Sequence, residues 1–156
     1  MSTVDNEIQR ILRTAIQREI DAYNLYSSAA EKAKGPHPKT ILQELAAQEE
    51  GHRKRLENLL AGNVFRVVSQ AQKKKVQDLK ITDYLVEVPL TPDSDFQDIL
   101  IVAGKREKAS HDLYTSLAKV AEDADTVKLF EFLANEELGH KNRVESLYEE
   151  LVYKDN

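Results

Sequence analysis

The sequence predicts an all-α domain, a four-helix bundle built from two repeated helical hairpins joined by a long crossover connection. Three observations predict it. The 156 residues include only 5 Gly and 4 Pro, and these fall between long segments rich in Ala, Leu, Glu, Lys, Gln and Arg, the residues that lose least on entering a helix. Within those segments apolar residues recur in alternating steps of three and four, the seam of a helix packed in a bundle. The first half of the chain also matches the second, without a gap, when shifted by 88 residues.

The first helix is expected to begin near Ser2 or Thr3, with Asp5 or Asn6 in its first turn, and to stop at Gly35-Pro36. Its seam runs Ile8, Leu12, Ala15, Glu19, Ala22, Tyr26, Ala29, Ala33. A second helix begins near His37-Pro38, where proline is tolerated in a first turn, and ends by Gly62, with the seam Leu42, Leu45, Glu49, His52, Leu56, Leu59. Hairpin 1 therefore covers about 3–62. The connection, about 63–93, is less regular and long enough to carry the chain from one end of a bundle to the other. Its run Lys73-Lys74-Lys75 reads as a solvated face. Hairpin 2, about 94–153, opens at Ser94, which forms a capping-box pattern with Gln97. The third helix continues to about Glu122 along Phe96, Leu100, Ala103, Glu107, Ser110, Tyr114, Leu117, Ala121. After the polar break Asp123-Ala124-Asp125, the fourth carries Phe130, Leu133, Glu137, His140, Val144, Leu147, Leu151.

Composition excludes several kinds of function. With no cysteine, disulfides, thiolate metal sites, iron–sulfur centres and cysteine nucleophiles are all absent, so any metal must be held by His, Asp or Glu. A formal charge of −5 argues against a general nucleic-acid binder. The N-terminal residues show no basic-then-apolar signal pattern, and no apolar run approaches membrane-spanning length, so a cytoplasmic location without membrane contact is expected.

The seams carry an anomaly. Glu19, Glu49, His52, Glu107, Glu137 and His140 occupy positions that should be apolar. Glu49 and His52, three residues apart, share one helix face, and the same Glu-x-x-His returns 88 residues later as Glu137 and His140. Glu19 to Glu49 and Glu107 to Glu137 are both 30 residues, placing each acid pair at similar height in its hairpin. A lone glutamate at such a position would ordinarily be exposed or paired with an arginine such as Arg18, Arg55, Arg106 or Arg143. Six polar residues repeated in register are different: four buried carboxylates repel one another and lose hydration. Two divalent cations would balance them, with the two imidazoles as further donors, and this oxygen and nitrogen set suits iron, manganese or zinc. Tyr26 and Tyr114, seven residues after Glu19 and Glu107, lie two turns along the same faces and are placed to hydrogen-bond a ligand carboxylate. His37, among prolines, is expected to be exposed, and His111 lies off the seam.

These residues resemble the ferritin-like di-iron superfamily, in which one Glu from each of two helices joins a Glu-x-x-His from each of the other two. The closest resemblance is to the rubrerythrin family. Residues 11–33 and 41–60 resemble its first two helices, and 99–121 and 129–151 its last two. The resemblance implies two iron ions held by Glu19, Glu49, His52, Glu107, Glu137 and His140, with Tyr26 and Tyr114 beside them. It also implies reaction with hydrogen peroxide or dioxygen, in oxidative-stress defence. Rubrerythrins usually append a cysteine-ligated rubredoxin domain, which a chain without cysteine lacks, so an external electron donor such as a separate rubredoxin-like protein is expected. They also usually carry another glutamate three residues after the third-helix ligand, where this chain has Ser110. The remaining set is closer to that of bacterioferritin. Haem ligation of the bacterioferritin kind uses a methionine, and Met1 is the only one, so no haem is expected. A storage cage is not expected either, because the chain stops at Asn156 without a fifth helix; the expected assembly is a homodimer. A metal-binding module, or a ferrous oxidase without storage, is the alternative.

Overall fold

The computed structural model describes residues 3–62, 90 and 94–154. They form four helices: α1 (Thr3–Lys32), α2 (Pro36–Ala61), α3 (Phe96–Val120) and α4 (Ala124–Lys154). Among the described residues there is no strand, and no helix is long and apolar enough to cross a membrane.

The helix ends follow local chemistry. Between α1 and α2 the chain turns through Gly35 at φ 94 and ψ 160, a conformation essentially reserved for glycine, and Pro36 then opens α2 with φ already suited to a helix. At the end of α2 the Gly62 amide donates to the Asn58 and Leu59 carbonyls at 3.1 and 3.2 Å. The expected capping box at Ser94 is not the start of α3. The cap position is Asp95, and no side-chain cap hydrogen bond forms there. The α3–α4 break is also earlier than the charged triplet suggested, since α3 stops at Val120 and α4 begins at Ala124. The reason is Asp123, whose carboxylate accepts from both the amide and the hydroxyl of Thr126 at 3.1 Å, capping α4.

The apolar core is divided into two clusters. One joins Ile8, Leu12 and Ala15 of α1 to Leu56 of α2, Leu113 and Leu117 of α3, and Phe130 and Leu133 of α4. The other joins Tyr26 and Ala29 of α1 to Leu42 and Leu45 of α2, Leu100 and Ala103 of α3, and Val144 and Leu147 of α4. The first cluster thus takes the N-terminal halves of α1 and α4 and the C-terminal halves of α2 and α3. Helices α1 and α4 therefore run one way and α2 and α3 the other. Gly62 then lies at the first-cluster end and Phe96 at the second, opposite ends of the bundle. The expected crossover and its lysine run lie outside the described residues. Between the two clusters, at the level of Glu19, Glu49, Glu107 and Glu137, lies a polar layer.

Candidate metal centre

All six polar seam residues are buried: Glu19, Glu49, His52, Glu107, Glu137 and His140 are between 1% and 3% exposed. The structure brings all of them into one cluster. Each helix contributes because its seam faces the bundle axis at this height, α1 and α3 supplying one glutamate each, α2 and α4 a Glu-x-x-His each. Two sets of four donors result, Glu19, Glu49, His52 and Glu137, and Glu49, Glu107, Glu137 and His140; within each set one atom per residue lies within 4.8 Å of all the others. Glu49 and Glu137 belong to both.

The contacts cross between the hairpins. His52 Nδ1 of α2 lies 2.8 Å from Glu137 Oε1 of α4, and His140 Nδ1 of α4 lies 2.5 Å from Glu49 Oε1 of α2. The tyrosines cross too: Tyr26 of α1 donates to Glu107 of α3, and Tyr114 of α3 donates to Glu19 of α1, each at 2.6 Å. Both rings are fully buried, and Tyr114 stacks on Phe130 with ring centres 6.4 Å apart. Each hairpin therefore orients the other's outer glutamate.

Protonation follows from burial and like charge. Burial raises Glu49 well above the usual carboxylate range, and the charges of Glu107 and Glu19 push the same way. Burial does the same to Glu137, reinforced by Glu107, Glu19 and Glu49. Burial also opposes ionisation of Glu19, but the nearby Glu49 and His52 and the hydrogen bond from Tyr114 outweigh it and bring that group below its ordinary value. For His52, burial favours the neutral ring, but its contacts with Glu19 and Glu136 prevail and raise it. Tyr26 and Tyr114 are raised well above the ordinary phenol value by burial and by the neighbouring carboxylates, so both hydroxyls keep their protons and act as donors.

Among the described residues, no arginine neutralises the cluster by direct pairing. Arg143 pairs with Glu44 at 2.6 Å, and Arg55 lies 4.8 Å over the ring of Phe132. Arg18 is largely buried and reaches across α3 to the Arg106 carbonyl at 3.5 Å. Burial lowers its pKa below the ordinary arginine value but leaves it cationic, with Tyr114, Glu137, Glu19 and Glu107 opposing the shift. Its Nη1 is buried without a hydrogen-bond partner, as are Glu19 Oε2, Glu107 Oε2 and His52 Nε2. Orphaned carboxylate oxygens on both outer glutamates, beside two central acids whose ionisation burial and like charge oppose, are what a pair of divalent cations would satisfy. The donor set fits a di-iron centre.

The remaining histidines stay outside. His37 is 65% exposed and sits 3.4 Å from Glu150. His111 donates through Nδ1 to the Ala134 carbonyl at 2.8 Å, which holds it against α4 and away from the cluster. Ser110 is half-buried.

Comparison with known proteins agrees with this geometry. The Rubrerythrin family model matches residues 10–148. The chain belongs to the rubrerythrin family. Two solved structures are similar to this rubrerythrin-family chain, each with TM-score 0.71. One is a hypothetical protein from Pyrococcus furiosus, 24% identical, covering 94% of this chain and 90% of the other. The second, from Thermotoga maritima, is described as a candidate ferritin-like diiron-carboxylate protein; it is 22% identical and covers 92% of this chain and 95% of its own. At such identities the likeness concerns the fold, a ferritin-like four-helix bundle. No curated protein matches the chain in sequence.

Two contacts escaped the sequence reading. His140 Nε2 donates to Gln48 Oε1 at 2.6 Å, and His52 Nε2 faces Glu136 Oε1 at 3.6 Å. Gln48 and Glu136 directly precede Glu49 and Glu137 and are repeat counterparts of unlike charge. That mismatch beside a matched ligand was the available signal.

Proposed function

We propose that this protein is a non-haem di-iron oxidoreductase of the rubrerythrin type, reducing hydrogen peroxide or dioxygen as a di-ferrous centre is oxidised. The observation that carries the proposal is the pair of overlapping four-donor sets buried in a rubrerythrin-family bundle. The Thermotoga relative's description as a diiron-carboxylate protein supports iron as the metal.

Glu19 and His52 would hold one ion, Glu107 and His140 the other, with Glu49 and Glu137 shared between them. A di-ferrous centre would supply two electrons, which with two protons suffice to convert one peroxide to two waters or one dioxygen to one peroxide. The Tyr26 hydroxyl, donating to Glu107, and the Tyr114 hydroxyl, donating to Glu19, fix the outer carboxylates and keep them from rotating. Glu49 and Glu137, whose pKa values burial and like charge raise, would release any bound proton on holding the cations. The apolar clusters on either side restrict bulk water around the layer. These 156 residues hold no cysteine, so the electrons would come from a donor outside them.

The matched ligand sets, with half-buried Ser110 rather than a fifth carboxylate, favour a second reading, ferrous oxidation by dioxygen in iron handling. One experiment tests both. Protein loaded anaerobically with ferrous iron is mixed in a stopped-flow instrument with peroxide or with dioxygen. The first reading expects ferric absorption to rise with peroxide, at one peroxide per two irons, or with dioxygen, and the centre to cycle repeatedly once an external reductant is added; the second expects dioxygen to oxidise the iron faster than peroxide and the ferric product to leave the protein. Oxidation no faster than that of free ferrous iron with either oxidant would contradict both.

A further inference from the structure

The repeat that matches the six candidate ligands and both tyrosines does not match what lies behind the two imidazoles. We propose that Glu136 and Gln48 make the half-sites unequal, so that the His52 half-site holds its divalent cation more tightly than the His140 half-site. This rests on the reading of the cluster as a two-metal centre.

In each histidine Nδ1 faces the shared glutamates, at 2.8 Å for His52 and 2.5 Å for His140, and is the nitrogen placed to donate to a metal. The ring proton must then reside on Nε2, and the group facing Nε2 tunes the ring. For His140 that group is the neutral amide oxygen of Gln48, at 2.6 Å. For His52 it is the carboxylate of Glu136, 3.6 Å away and 37% exposed, within reach of a small side-chain rotation; among the described residues His52 Nε2 has no hydrogen-bond partner. A carboxylate accepting from an imidazole N–H makes the ring a stronger base and a stronger metal donor than an amide does.

A second difference acts in the same direction. Phe132 lies edge-on to His52, with ring centres 6.2 Å apart, and Arg55 covers the phenyl face. The repeat counterpart of Phe132 is Glu44, which turns away to Arg143 with its side chain 54% exposed. The His52 ring thus has an aromatic neighbour, against which a nearby charge–dipole contact is stronger, while the corresponding position on the His140 side is taken by a carboxylate paired with Arg143.

Altering a group that supports a metal-bound histidine changes metal affinity by about 10–100-fold, and the partial exposure of Glu136 places the expected effect at about 10-fold. The test is an anaerobic titration of the whole chain with Mn2+, followed by calorimetry and by electron paramagnetic resonance, which distinguishes an isolated ion from a coupled pair. In the wild type the first equivalent should give mainly the isolated-ion signal, and the two affinities should differ by about 10-fold beyond the statistical factor. Glu136→Gln should weaken the tighter site about 10-fold and bring the two together, whereas Gln48→Glu should tighten the weaker site by a similar factor. Both side chains reach solvent, and circular dichroism checks that the variants fold. Two indistinguishable sites in the wild type, or folded variants with both affinities unchanged, would overturn the inference and leave the two-metal reading standing. A wild type that takes up no metal would overturn both.

Discussion

Hairpin α1–α2 turns through a glycine at positive φ followed by two prolines, whereas hairpin α3–α4 turns through a short stretch closed by the Asp123 carboxylate. At their centres the same two hairpins are alike. Each presents one glutamate and one Glu-x-x-His at the same height, and each sends a tyrosine to the other's outer glutamate at the same 2.6 Å. The difference teaches where the duplication is constrained. A turn can be made by several devices of similar energy, but a buried four-carboxylate layer tolerates little change without leaving an unpaired charge.

The strongest way to break the comparison is to remove a shared ligand. Glu49→Leu removes a donor common to both sets, so bound metal should fall from two ions to none, while Glu19→Ala or Glu107→Ala should each remove chiefly one; elemental analysis after dialysis reads the outcome. Retention of both ions by Glu49→Leu would show that the sets are not shared as the geometry indicates.

The metal-free centre should also respond to pH. Glu49 and Glu137 are raised above 4.5 and His52 above 6.5, so the folded state holds protons that the unfolded chain releases. Their contribution to stability is fully present below those unfolded values and is lost as pH rises through the higher folded ones. Glu19 is lowered, so its contribution is lost instead as pH falls below about 4.5. Thermal melts of metal-free protein should therefore decline from mildly acid toward alkaline pH. Saturating divalent metal, which displaces the protons, should flatten the decline.

The crossed tyrosines sharpen the comparison. Tyr26→Phe and Tyr114→Phe keep the ring packing and remove one hydrogen bond to a carboxylate, costing about 1.5–3 kcal/mol each, and the two costs should agree. Denaturant unfolding with metal absent measures them. Clearly unequal costs would mean that the hairpins brace each other unevenly. The smallest effects belong to the turns: Gly35→Ala loses its permitted backbone conformation and Asp123→Ala its cap, each costing about 1 kcal/mol by the same measurement.

The bundle and its six polar residues were legible because two regularities overlap on them, the three-and-four spacing that defines a seam and the shift of 88 residues that repeats it. Spacing assigns a residue to a face but not to a partner on another helix. The crossing of Tyr26 to Glu107 rather than to Glu19 therefore became visible only in three dimensions. The helix starts failed more locally: Ser94 and Gln97 fit a capping box in pattern, yet Asp95 takes the cap position. Gln48 and Glu136 were missed because they lie off the seam, where a polar residue normally means solvent. Each reaches the opposite helix's histidine only because α2 and α4 face each other at that height.

The central claim is that one symmetric layer holds two metals. Its most direct measurement is an anaerobic ferrous titration of metal-free protein, with iron bound per chain counted by Mössbauer spectroscopy. Two bound ferrous ions per chain, reduced to none in Glu49→Leu, are the predicted result. A stoichiometry of one or zero in the wild type, or two ions retained in that variant, would contradict the claim.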